Sequence, residues 1–180
     1  MDKLTLSDYH DAVVAYLREK VPWLQSIDYY PETQTELPTP CAFFSVEDWE
    51  ENSEEDLSDG TLCINFNCEL IVVFGMLEPE YQKAIRNATV ALGLIIHNCR
   101  FGKKIPAAVL QSAAPDAFDP DLDGYAVWSI KWSQRLYVGE IVISAEEFKP
   151  SKISVGYSPE IGSDNQDKYE KVTDEDDINP

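Results

Sequence analysis

The 180-residue sequence is poor in basic residues and in histidine. It contains 14 lysines and arginines against 33 acids, and its two histidines are His10 and His97. Tight binding to DNA needs a stripe of cations that neutralises phosphates, and this sequence has no such stripe. Neither histidine stands in an H-E-x-x-H or other metal-ligand spacing. These shortages argue against specific DNA binding and against a histidine-based centre.

Long apolar runs and catalytic motifs are also missing. No window approaches 18 consecutive apolar residues, and the start MDKLTLSDYH lacks the basic and apolar stretches of a secretory signal. There is no G-x-S-x-G motif, Gly-rich phosphate loop or dinucleotide fingerprint. We therefore expect a protein kept in a cytoplasm, away from membranes, with no enzymatic activity, no catalytic residues and no cofactor.

The four cysteines, Cys41, Cys63, Cys68 and Cys99, form no C-x-x-C pair. Each lies inside or beside an apolar run, where a free thiol packs as a small hydrophobic group. We favour buried free thiols over disulfides or a zinc site, because a reducing compartment keeps such thiols unpaired.

The formal charge of −19 is concentrated in three segments. Residues Glu47 to Asp59, named here the acidic segment, carry eight acids and no base; Asp116 to Asp123 carry four acids; Ser151 to Pro180 carry eight acids and three lysines. Without these segments the net charge is −2, so the core of the protein is almost neutral. Solubility alone, or a role in association, would explain such a distribution.

Hydrophobic periodicity predicts two helices and five strands. The helices cover Tyr9–Val21 and Pro79–Cys99, and the strands cover Ser26–Tyr30, Cys41–Val46 with a possible extension to Trp49, Thr61–Phe74, Leu110–Ala114 and Tyr125–Val138. The order α-β-β-β-α-β-β predicts an α+β fold: an antiparallel sheet of four to five strands with both helices on one face. Residues 1–148 form this domain, and residues 149–180 are an acidic, extended or flexible C-terminal tail.

One motif suggests a metal site. Asp119, Asp121, Asp123 and Gly124 reproduce the opening of a calcium-binding EF-hand loop. That loop needs a glutamate at its twelfth position, where this sequence has Ile130 inside a predicted strand. An acidic turn is the preferred interpretation, and the three aspartates are weak metal candidates.

The last strand is aromatic and unusually long. Trp128 and Trp132 are most simply core residues, but a strand of 14 residues exceeds the usual five or six and offers length on which a neighbouring subunit can pack. The candidates for a subunit interface or a ring lumen are Glu50, Glu51, Glu54, Glu55, Asp56, Trp49, Trp128, Trp132 and Arg135.

The segment APDAFDPDLDGYAVWSIKWSQRLYVGE, residues 114–140, resembles the closing loop and strand of tail terminator proteins of long-tailed bacteriophages, especially Mu-like contractile-tailed phages. The segments LPTPCAFFSVEDW and ELIVVFG fit the same order, and the resemblance covers about residues 5–140. A neck or head-completion protein of the same architecture is the alternative.

The resemblance implies a non-enzymatic virion protein at the neck-proximal end of a tail, assembled in the host cytoplasm. Such a protein forms a ring, typically a homohexamer, that caps the tail tube, and possibly the sheath, and offers a docking surface to the head–tail connector protein. The acidic segments would then line the lumen, where they repel phosphate so that DNA passes without specific binding, or form partner surfaces.

We predict that millimolar calcium leaves the melting temperature of the protein unchanged, because the acidic turn lacks the glutamate that completes an EF-hand loop. Thermal unfolding with and without calcium measures this. A rise in melting temperature that a chelator reverses would contradict it.

Overall fold

The structure is a computed structural model that describes residues 4–29, 37–77, 79–116, 124–139 and 153–173. The chain divides into two compact units, Met1–Ile141 and Val142–Pro180. The boundary predicted after residue 148 falls among residues outside the described ranges, so it stays a prediction.

The first helix, α1 (Leu6–Lys20), begins at a capping box. The amide of Asp8 donates to Oγ1 of Thr5 at 3.1 Å, and the amide of Thr5 donates to Asp8 Oδ2 at 2.9 Å. These bonds satisfy free amides of the first turn, and the hydrogen bonds from Thr5 lower the pKa of Asp8. The helix ends before Val21-Pro22, because a residue that precedes proline disfavours the helical conformation.

The sheet of the first unit has five strands in the order β1-β2-β3-β5-β4. The strands are β1 (Ser26–Tyr29), β2 (Cys41–Glu51), β3 (Leu62–Gly75), β4 (Val109–Pro115) and β5 (Tyr125–Val138), and helix α2 (Tyr81–Ile96) lies between β3 and β4 in the chain. The predicted order α-β-β-β-α-β-β and the α+β class are confirmed. Strands β2 and β3 form an antiparallel hairpin that spans the acidic segment.

The sheet is mixed, whereas the sequence analysis predicted an antiparallel one. Strand β1 runs parallel to β2, with Ser26 opposite Cys41 and Tyr29 opposite Phe44. The connection of residues 30–40 has to return the chain to the end of the sheet at which β1 began. Because β1 has only four residues, eleven residues are long enough for that return.

The core lies between the helices and one face of the sheet. At its centre Trp132 is completely buried and stacks on Phe44, with ring centroids 5.5 Å apart. Tyr9 of α1 is also completely buried, and its hydroxyl accepts a hydrogen bond from Nε1 of Trp132 at 3.3 Å. Burial raises the pKa of Tyr9 well above its usual value, so this hydroxyl stays protonated.

All four cysteines are free and buried, as predicted. Burial raises the pKa of the Cys41 thiol to about 11 and that of the Cys68 thiol to about 12. Both thiols are therefore protonated at neutral pH and unreactive.

Within the second unit, residues 153–173 contain a small antiparallel sheet. Strand β6 (Ile153–Val155) pairs with β7 (Glu170–Thr173), and a short 3-10 segment, Ser163–Lys168, lies between them. A Cβ atom on Gly156 would lie 2.8 Å from the ring of Tyr169, so the backbone can pass there only as glycine. The prediction of an irregular tail did not include this sheet, because strands of three and four residues are too short to show a period.

We predict that Tyr9→Phe lowers the free energy of unfolding by about 1–3 kcal/mol, because it leaves the buried indole N–H of Trp132 without its acceptor. Tyr157→Phe is the control, since the Tyr157 side chain is 67% exposed and its change should cost less than about 0.5 kcal/mol. Urea unfolding of the two variants measures the difference, and equal stabilities would contradict the prediction.

Candidate interaction surface

The acidic segment forms the far end of the β2–β3 hairpin. The segment begins within strand β2, which ends at Glu51, and continues through the 3-10 turn Ser53–Glu55. Strand β3 then begins at Leu62. The predicted candidates Glu50, Glu51, Glu54, Glu55 and Asp56 are all exposed there. The structure therefore gathers these carboxylates at one end of the sheet.

Two exposed apolar side chains lie within the acidic segment. Trp49 is 56% exposed and Leu57 is 51% exposed. Trp49 pairs in register with Phe66, a core residue, so it lies on the helix-covered face of the sheet, at its acidic end. The hairpin end thus combines dense negative charge with apolar contact groups.

Arg135 holds the acidic turn against the sheet. Its Nη1 lies 2.8 Å from Oε1 of Glu55, and the hydroxyl of Tyr137 donates to the backbone carbonyl of Glu55 at 3.2 Å. The hydrogen bond to Glu55 raises the pKa of Arg135. Asp59 accepts hydrogen bonds from the amide and hydroxyl of Thr61, which lower its pKa. The turn is therefore ordered by contacts within its own chain.

The sheet face opposite the helices carries a second ion-pair cluster. Nζ of Lys131 lies 2.8 Å from Oε1 of Glu47 and 3.4 Å from Oε1 of Glu69, and the hydroxyl of Ser129 donates to the same Glu69 oxygen. The hydrogen bond to Glu47 raises the pKa of Lys131. These contacts give the carboxylate of Glu69, which is 9% exposed, its hydrogen-bond and ion-pair partners. The stability of the fold explains this cluster without a binding role.

The two tryptophans of β5 differ in position. Trp132 lies completely inside the core, so its side chain has no surface to offer a partner. Trp128 is partly buried at the edge of the core, and the guanidinium of Arg86 lies 5.4 Å from its ring centroid. Of the pair, only Trp128 reaches a surface.

That surface is an apolar groove between α2 and β4, named here the α2–β4 groove. It has a volume of about 460 Å³ and is lined by Arg86, Thr89, Val90, Gly93, Leu94, His97, Leu110, Ala113 and Trp128. Val90 is 66% exposed and Leu94 75%. Exposed apolar side chains that adjoin in this way mark contact sites for other molecules.

Strand β4 is the edge strand on this side of the sheet, among the strands that the structure describes. It pairs with β5 alone, and a register shift lies between Leu110 and Ser112. The groove is therefore bordered by backbone groups that face away from the sheet, a common site of pairing with another chain.

Comparisons with known proteins found a likeness among solved structures. No protein-family model and no curated protein sequence matches the chain. Among solved structures, the chain is similar to the sheath/tube terminator, in the extended state, of an extracellular contractile injection system, PVC, determined by cryo-EM. The identity is 16% and the TM-score 0.37, over 92% of this chain and 68% of that chain. A likeness at this level assigns neither the fold nor the function of that protein to this chain.

The metal candidates Asp119, Asp121 and Asp123 lie outside the described residues. Within the described ranges, no three His, Cys, Asp or Glu side chains are placed to hold a metal ion. In the same ranges, no helix has the length and hydropathy needed to cross a membrane. His97 lines the α2–β4 groove, and His10 packs against the rings of Tyr29 and Phe44.

The sequence analysis missed the α2–β4 groove. A signal for it was present in ALGLII of α2, which is apolar on all sides although only one side can face the sheet. The buried side carries Ile85, Leu92 and Ile96, and the remaining apolar positions, Val90 and Leu94, are exposed. Excess apolar positions on a surface helix predict a second contact face.

We predict that Arg135→Gln loosens the acidic turn, because it removes the cation that binds Glu55. Amide hydrogen exchange of residues 52–60 should become at least several-fold faster, while global stability falls by no more than about 1 kcal/mol, as for other surface ion pairs. Lys20→Gln removes the exposed pair with Glu19 on α1 and serves as the control. Unchanged exchange in Arg135→Gln would show that the turn does not depend on this pair.

Proposed function

We propose that this chain is a structural subunit that closes into a ring on the end of a tail tube and stops tube polymerisation. The observation that carries the proposal is the α2–β4 groove beside an edge strand. Its exposed apolar side chains, Val90 and Leu94, fit a subunit that buries them against another chain. The resemblance of residues 114–140 to tail terminators supports the kind of assembly.

In the proposed assembly, typically six copies form the ring. One rim of the ring contacts the tube protein and the sheath protein, and the opposite rim is the docking surface for the head–tail connector. The chain contributes contact surfaces and no chemistry. Its place is the neck-proximal end of the tail, and DNA passes through the ring without specific contacts.

The test is a tube-capping experiment with a tail tube protein from the same genome as this chain. Purified chain is added to polymerising tube protein, and tube lengths and ends are scored by negative-stain electron microscopy. We expect shorter tubes with a ring at one end, and an unrelated acidic protein of similar size as control should leave tube length unchanged. Rings that bind connector protein but ignore tubes would favour a neck protein, and a monomer that ignores tubes would contradict the proposal.

A further inference from the structure

The positive charge of this chain is as unevenly distributed as its negative charge. Residues Tyr81–Pro115, named here the basic segment, contain five lysines and arginines and no acid, in a protein of net charge −19. The basic segment comprises α2, the loop after it and β4. It therefore supplies nearly all of the α2–β4 groove, including Arg86, which lies over Trp128.

The acidic segment has the opposite composition. It carries eight acids and no base, and within it Leu57 and Trp49 are more than half exposed. An apolar floor with the guanidinium of Arg86 beside it fits an apolar side chain flanked by carboxylates. The end of the β2–β3 hairpin offers such a side chain in Leu57.

The acidic segment cannot fill the groove of its own copy. Leu110 of the groove pairs with Trp132, while the hairpin enters the sheet at Leu62, which pairs with Val138. Six residues of β5 separate those two positions, a distance of about 20 Å along the strand. In addition, Glu55 is held by Arg135, and side chains at odd positions of β5 point to the face opposite the groove.

We propose that the α2–β4 groove of one copy binds the acidic segment of a second copy, with Leu57 on the apolar floor and a neighbouring carboxylate beside Arg86. This inference rests on the proposed function, since it describes how copies in the ring join. It places the acidic segment at the interface between copies and not in the lumen.

The contact joins two different surfaces of the same chain. After the first contact one copy still has a free hairpin and the other still has a free groove, so association continues until a ring closes. A contact between two identical grooves would instead stop at a dimer. This difference makes the inference testable by mixing two variants.

The experiment uses full-length chains with one aspartate each. Leu94→Asp places a carboxylate in the groove, and Leu57→Asp replaces the leucine of the hairpin that is proposed to bind there. Both side chains are exposed, so neither substitution should disturb folding. Leu77→Asp is the matched control, because Leu77 is a fully exposed leucine outside the groove and the acidic segment. Circular dichroism and the melting temperature establish that all three fold.

Sedimentation velocity measures association. We expect Leu94→Asp and Leu57→Asp each to weaken self-association roughly tenfold or more, and Leu77→Asp to behave as the unmodified chain. An equimolar mixture of the two weakened variants should form heterodimers that do not grow. Each heterodimer has one intact groove and one intact hairpin, and these two already bind each other. Raising the salt concentration should weaken association of the unmodified chain, since opposite charges face each other.

Several results would overturn the inference. If Leu94→Asp prevents association and Leu57→Asp does not, the groove binds a different surface. The inference is also contradicted if the mixture of Leu94→Asp and Leu57→Asp stays monomeric, or if the salt concentration does not change the association of the unmodified chain. If the unmodified chain caps tubes as a ring in spite of these results, the proposed function stands and only the groove–hairpin contact is wrong. If the unmodified chain neither associates nor caps tubes, both are wrong.

Discussion

The pairing of β3 with β5 is the interaction on which the rest of the first unit depends. It runs over fourteen residue pairs, from Leu62 opposite Val138 to Gly75 opposite Tyr125. Trp132, near its middle, contacts Phe44 of β2 and Tyr9 of α1, so the ladder also anchors the helix layer. Because this strand pair is long, it separates the acidic hairpin at one end from the groove lined by Trp128 toward the other.

Much of this fold could be predicted from the sequence, and the reasons are physical. Apolar and polar residues alternate from Ile64 to Leu70 in β3 and from Trp128 to Ser133 in β5, so both strands were predicted within a residue or two of their bounds. The parallel pairing of β1 was not predicted. A two-residue period in the sequence shows which side chains are buried, but it does not show in which direction the strand runs beside its neighbour. Strand β2 continues to Glu51 because β3 pairs with it, although its last residues have low β-propensity.

The candidate surface was predicted in part. The charge count located the acidic segment, and the structure adds that Arg135 holds it. The aromatic pattern of β5 could not show that Trp132 is buried and Trp128 is partly exposed, because both side chains lie on the same sheet face. They differ only in how fully the helices cover them. The α2–β4 groove depends on the distance between a helix and an edge strand, and neither element encodes that distance alone.

The length of the β3–β5 strand pair also affects the angle between the hairpin end and the groove. Neighbouring strands are rotated by about 20–25° relative to each other, and a long pair coils along its length. The direction in which the hairpin end at Leu62 points is therefore turned relative to the direction in which the groove beside Trp128 opens. In a head-to-tail assembly that turn fixes the rotation from one copy to the next. In the ring proposed above, the twist of this strand pair would set how many copies complete a circle.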